Sequence, residues 1–165
     1  MQRDFGRSNK IAGNWRGLGI ASTERSIVIG ETVRFTASDG KCAVVIEDDG
    51  RVGYAYLLDS GGDICGDVWL YNRCPAPDVP EWHDPSDAPF ANPSDYVQNS
   101  LEFRFPNSSA DIDIDWSCED GACLARILIQ KKLVAVMKNG AKPGWALLAK
   151  KDGPLVKSLN EVGFS

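Results

Sequence analysis

A chain of 165 residues, 43% of them hydrophobic and 25% charged, has the length and make-up of one globular domain with a real core. Its net charge of −5 works against general binding to nucleic acid or an anionic membrane, whose phosphates it would repel, and is compatible with a basic protein partner. No apolar run approaches the roughly 20 residues that a membrane helix needs, and the polar, glycine-bearing stretch 1–26 does not read as an export signal, so the expected compartment is the cytoplasm.

Residues 1–26 read as a loose lead-in, because Gly13, Gly17 and Gly19 interrupt any helical period. Gly17-Leu18-Gly19 is not a dinucleotide fingerprint, since no strand precedes it. Residues 27–165 read as a single β-rich domain. Within it, 27–29 and 32–36 are short β-prone runs, and Asp39-Gly40 turns the chain into its central hairpin. There an apolar run from Cys42, the dipeptide Asp49-Gly50 and a second run through Tyr54 and Tyr56 predict two antiparallel strands joined by a type I′ turn. Both faces of the second strand are largely apolar, as in a central strand covered on both sides. The turn Ser60-Gly61-Gly62-Asp63 then leads to a third strand at 68–71.

From 73 to 99 the character changes. Pro75, Pro77, Pro80, Pro85, Pro89 and Pro93 exclude regular helix and a paired central strand. Asp78, Glu81, Asp84, Asp87 and Asp95 make the stretch acidic, with Trp82, Phe90 and Tyr96 spaced through it. Loops of this length are either functional or disordered, and aromatics are sparse in disordered chains. These eight residues are therefore the candidate partner-binding set, against the plainer reading of a proline-stiffened insertion that packs its aromatics on the sheet.

A strand is expected at 101–105. The alternation of Asp111, Asp113 and Asp115 with Ile112, Ile114 and Trp116 predicts a half-buried strand with a solvated acidic face. It is a poor calcium loop, because an EF-hand needs a glycine after its third acidic ligand, a glutamate further on and no β-branched residues between the ligands, and here Ile112 and Ile114 fill those gaps. Asp120-Gly121 and Asn139-Gly140 mark two further type I′ turns around strands at 124–130 and 133–137, and a last strand is expected at 145–149. Leu155, Leu159 and Val162 are spaced for a short C-terminal helix. The fold class is thus mainly β: antiparallel sheets, sandwich-like or strongly curled, with little helix.

Five cysteines, an odd number, with no export signal argue for reduced thiols packed as small hydrophobes. Cys118 and Cys123 flank a turn and could bridge. A zinc set of Cys118, Cys123, Cys65 and Cys74 has a poor second half in its C-x8-C spacing. No metal and no cofactor is expected. His83 is the only histidine, and no nucleophile elbow, P-loop or zinc-protease motif is present. Glu47, Asp48, Asp49 and Glu119 could supply paired carboxylates, but 47–50 is accounted for as a turn. The chain reads as a binding protein, with no catalytic residues assigned.

The run Val45-Ile46-Glu47-Asp48-Asp49-Gly50-Arg51-Val52-Gly53-Tyr54-Ala55-Tyr56 resembles the hallmark of a family of small bacterial proteins of unassigned function. That hallmark is a Glu-Asp-Asp-Gly-x-x-Gly-Tyr-x-Tyr hairpin followed by an Ile-Tyr-Asn strand, and Leu70-Tyr71-Asn72 stands where the second element belongs. Trp116, Asp120, Gly121, Asn139 and Gly140 align loosely with a later Trp-x-x-Asp-Gly segment and its Asn-Gly-type turn. Such proteins are suspected immunity partners of secretion-system toxins used in bacterial competition. The resemblance implies a cognate toxin domain as partner, expected to be basic because many such toxins act on nucleic acids, and it carries over no catalytic residue. The alternative function is a small-molecule or carbohydrate-binding β module built on Trp69, Tyr71 and Trp82.

Overall fold

The computed structural model describes residues 32–159. Two sheets make the body. The first is an antiparallel meander of β1 (Thr32–Thr36), β2 (Ala43–Asp48), β3 (Val52–Leu58) and β4 (Ile64–Asn72). In the second, β5 (Ile112–Glu119), β6 (Ala122–Ile129), β7 (Lys132–Lys138) and β8 (Trp145–Ala146) pair antiparallel, and β9 (Lys157–Ser158) joins β8 in parallel. No described helix is long and apolar enough to cross a membrane. The lead-in and the β-prone run at 27–29 lie outside the described residues.

The two sheets bury their residues differently. Along β6 burial alternates: Cys123, Ala125, Ile127 and Ile129 are inside, and their neighbours are partly or fully exposed, as in a sheet with one solvated face. Every residue of β3 is buried. One face of the first sheet packs on the second through a core that includes Leu57, Val68, Ile127 and Met137. Its other face is covered in part by the segment after β4, where Asn92 N donates to Asn72 Oδ1 at 3.0 Å, while Phe103 and Phe105 lie with their rings 5.5 and 5.2 Å from that of Tyr71, which shares the face of Gly53 and Val68. Full burial of each large aliphatic side chain contributes about 1.5–3 kcal/mol, so the doubly covered β2–β3–β4 unit is where most apolar free energy is concentrated.

The sheets are also joined at one edge. The side of β4 away from β3 is capped by main chain from the second half: Asp67 N donates to Ala141 O (3.3 Å), Gly144 N to Asp67 O (2.7 Å) and Trp69 N to Leu155 O (3.1 Å). Gly144 permits this approach, because a Cβ there would meet Val136 O at 2.7 Å.

Several expectations change. The central turn is not type I′: only Gly50 has a left-handed φ (85°), the pattern of a II′ turn centred on Gly50-Arg51. Asp49 is displaced from the centre because its carboxylate accepts from Arg51 N and Val52 N, both at 2.8 Å. At Asn139-Gly140, too, only the glycine is left-handed (81°), while Asn139 Oδ1 accepts from Cys123 N at 2.8 Å. Asp120-Gly121 does have positive φ at both residues (50° and 81°), and so does Gln130-Lys131 (49° and 66°), which carries no glycine signal.

Residues 101–105 form no strand; their alternating aromatics serve side-chain packing instead of a ladder. The expected strand at 145–149 ends at Ala146. The tail is not helical over 154–158: Leu155 and Leu159 are both buried, but Leu155 O and Lys157 N bond across to Trp69 and Gly144, which requires extended chain, and of the tail's described residues only Leu159 is in a helical turn. Val162 lies outside the described residues. Finally, Cys118 and Cys123 face each other across β5 and β6 and form a disulfide, while Cys42, Cys65 and Cys74 are free.

Candidate functional site

Two acidic regions invite a chemical reading, and local geometry separates them. In the first, Glu47 accepts from the Tyr56 hydroxyl at 3.0 Å. Asp48 is 1% exposed. Its Oδ1 accepts from Gly50 N at 3.0 Å, and its Oδ2 from the Tyr71 hydroxyl at 2.8 Å and Arg73 Nε at 2.7 Å. Arg73 in turn donates to Pro106 O at 2.9 Å and lies over the Phe105 ring at 4.9 Å. The Tyr71 ring occupies the space where a Cβ on residue 53 would be, so only glycine fits there. Burial, reinforced by Asp48, holds the Tyr71 hydroxyl above its usual pKa. The hairpin motif and the Leu-Tyr-Asn strand are therefore one device, a clamp that fixes the turn to β4.

The third member of that strand, Asn72, works on the loop. Its Oδ1 accepts from Trp69 Nε1 (2.8 Å) and Asn92 N (3.0 Å), and its Nδ2 donates to Asn92 O (2.8 Å). Arg51, at the hairpin tip, holds the loop elsewhere: its Nη2 reaches both Glu81 oxygens at 2.9 and 2.8 Å. Those hydrogen bonds raise the Arg51 pKa against the opposing effect of burial. The far end is pinned as Gln98 N donates to Leu148 O (2.7 Å) and Lys150 N to Tyr96 O (2.8 Å). Single 3-10 turns at Pro85–Asp87 and Ser94–Tyr96 stiffen the stretch between.

The eight expected partner-binding residues divide accordingly. Asp78, Asp84, Asp87 and Asp95 are exposed. Trp82 and Tyr96 are half-buried and meet edge to face, with centroids 5.7 Å apart. Glu81 is engaged by Arg51, and Phe90 is buried at 5% exposure as an inner anchor. Asp84 accepts from Ser86 N (2.9 Å) and Ser86 Oγ (2.8 Å), which holds its carboxyl below the ordinary range. Sequence reasoning missed Val79, the one large apolar side chain exposed among the described residues (72%). Its place between Asp78 and Pro80 was the available signal. It also missed Arg51, whose partner lies 30 positions along the chain.

The result is an acidic rim with a small apolar component on a loop tied to the body at several points. It can meet a basic surface without first being ordered. The aromatics of the ligand-binding alternative are placed otherwise: Trp69 and Tyr71 are fully buried, and only Trp82 reaches the surface. His83 is exposed on the same rim. In comparisons with known proteins the chain matches no family model, no curated sequence and no solved structure.

Proposed function

We propose that the chain is an immunity protein, which binds a cognate secreted bacterial toxin and neutralises it by occluding its active site. The observation that carries this reading is the preorganised acidic rim: Asp78, Asp84, Asp87 and Asp95 are exposed on a loop whose Glu81, Asn92, Tyr96 and Gln98 are each hydrogen-bonded to the body. A rim already in place avoids the ordering cost that a mobile loop would incur on binding. Its carboxylates would steer a basic partner and fix its orientation. Trp82, with Val79 nearby in the chain, would supply the apolar contact at the centre, where aromatic side chains concentrate binding energy.

The test starts from the producing bacterium. Tagged protein should co-purify with one basic toxin domain in stoichiometric amount, and the toxin should be inactive in the complex. Calorimetric titration of that toxin into W82A/D84A/D87A should then show affinity weakened by roughly a hundredfold. A toxin that stays active when saturated with this protein would refute the proposal. Unchanged affinity of the triple variant would move the interface away from the rim.

A further inference from the structure

Away from the rim, at the opposite side of the hairpin, the fold gathers sulfur. Cys42 immediately precedes β2 in the first sheet, whereas Cys118 and Cys123 lie at the closed end of the β5–β6 hairpin in the second. The three Sγ atoms lie within 4.8 Å of one another. Cys42 and Cys123 are both 2% exposed and share an apolar cluster with Ala37, against which Trp116 and Cys118 pack. Cys118 is half-buried, so the group opens to solvent on that side. The set differs from the one that sequence spacing offered: Cys74 N bonds to Arg51 O at the hairpin tip, and Cys42, in the other sheet, takes part instead.

We propose that, once the Cys118–Cys123 disulfide is reduced, Cys42, Cys118 and Cys123 bind a zinc ion as three thiolates, with solvent at the fourth position. The spacing suits the ion. Tetrahedral zinc with Zn–S bonds of about 2.3 Å places its sulfurs roughly 3.8 Å apart, within the 4.8 Å over which the three now lie. Releasing the disulfide lets the two hairpin sulfurs part to that distance. Thiolates are the preferred ligands of soft cations, and a bound cation deprotonates the thiols that coordinate it.

The chemistry balances in two steps. A dithiol reductant donates two electrons and two protons to the Cys118–Cys123 bond, yielding two thiols and the reductant's own disulfide. Zinc then replaces three thiol protons, which pass to solvent. Oxidation of the pair reverses the binding, so the ion and the disulfide are alternative states of the same sulfurs. The zinc state ties the two sheets together; the disulfide state closes only the β5–β6 hairpin.

The experiment uses the full chain, reduced with a phosphine, freed of reductant without oxygen, and titrated with zinc against a colorimetric chelator. One zinc per chain should bind, and the melting temperature should rise. C42S should lower the affinity more than about tenfold, C118S likewise, and C74S not at all. Cobalt in place of zinc should give the thiolate charge-transfer and visible bands of a tetrahedral sulfur-rich site, lost in C42S. If C42S fails to fold, C118S and C118S/C123S decide the matter, because Cys118 lies at the margin of the cluster. The proposal is overturned if the reduced chain takes up no stoichiometric zinc, if the oxidised chain binds it equally well, or if the cysteine variants leave affinity unchanged.

Discussion

The acids at 47–49 and those at 78–95 carry the same charge chemistry and meet opposite fates. Asp48 is enclosed and accepts from a turn amide, a tyrosine and an arginine; Asp49 caps two backbone amides. Asp78, Asp87 and Asp95 face solvent. What separates the groups is the neighbourhood that the rest of the chain supplies. A carboxylate already holding several donors has little left for a ligand, whereas one on a pinned loop retains its whole capacity. The acids of the hairpin motif belong to stability, and under the proposed function those of the rim would serve recognition.

The sharpest way to break this contrast is to exchange the outcomes. D48A leaves Arg73 half-enclosed without its anion and Tyr71 without its acceptor; it should cost about 3–5 kcal/mol in urea denaturation, while the fraction still folded keeps its affinity for the toxin. The rim variant D78A/D87A should behave oppositely, with binding weakened severalfold or more in calorimetry and an unchanged melting temperature. Next in size, G53A would drive a methyl into the Tyr71 ring. Overpacking of this kind costs about 1–3 kcal/mol, measurable as a lower denaturation midpoint, and the double variant G53A/Y71A should lose less than the sum of the two single losses.

E81Q removes the anion facing Arg51. Because that pair is part-exposed, with side chains 43% and 23% accessible, the loss should be about 1 kcal/mol or less. The clearer readout is faster amide exchange at Ala91, whose N–H donates to Glu81 at 3.4 Å. The smallest effect concerns pH. Burial, then Asp59, raises the Cys65 thiol from 9.0 to about 11, and Tyr71 is raised as well. For both groups the folded state favours the neutral form, so their contribution is complete below the ordinary pKa and fades as pH rises through the elevated one. The melting temperature of the metal-free chain should fall between pH 9 and 11, and less steeply in C65A.

The parts of the fold legible in the sequence are those decided by neighbours in the chain. Thr32–Thr36, the Asp120-Gly121 turn and the alternation through β5 each follow from a few consecutive residues. The distinction among Glu47, Asp48 and Asp49 was not legible, because Tyr71 and Arg73 decide it from the end of β4. Phe103 and Phe105 alternate as a strand would, yet their rings are drawn to Tyr71 and Arg73. Leu155 and Leu159 sit four apart, which equally suits a helix or a strand-and-turn that buries both. The acidic character of the 73–99 loop could be read directly; its anchoring by Arg51 and Asn72 could not, since neither lies within it. The grouping of Cys42 with Cys118 and Cys123 is a product of sheet stacking, which no local pattern encodes.

The capped edge of β4 has a consequence during synthesis. The first sheet is complete once residue 72 has left the ribosome, but the main chain that covers its outer edge at Asp67 and Trp69 belongs to residues 141–155. At translation rates of about 5–20 residues per second, that edge waits on the order of ten seconds for its cover. During this interval a nascent chain presents an unpaired strand rich in Val68, Trp69, Leu70 and Tyr71, the kind of edge that templates association with a neighbouring chain. Nascent chains stalled before residue 141 should therefore recruit holdase chaperones, and chains released from the ribosome after full synthesis should shed them.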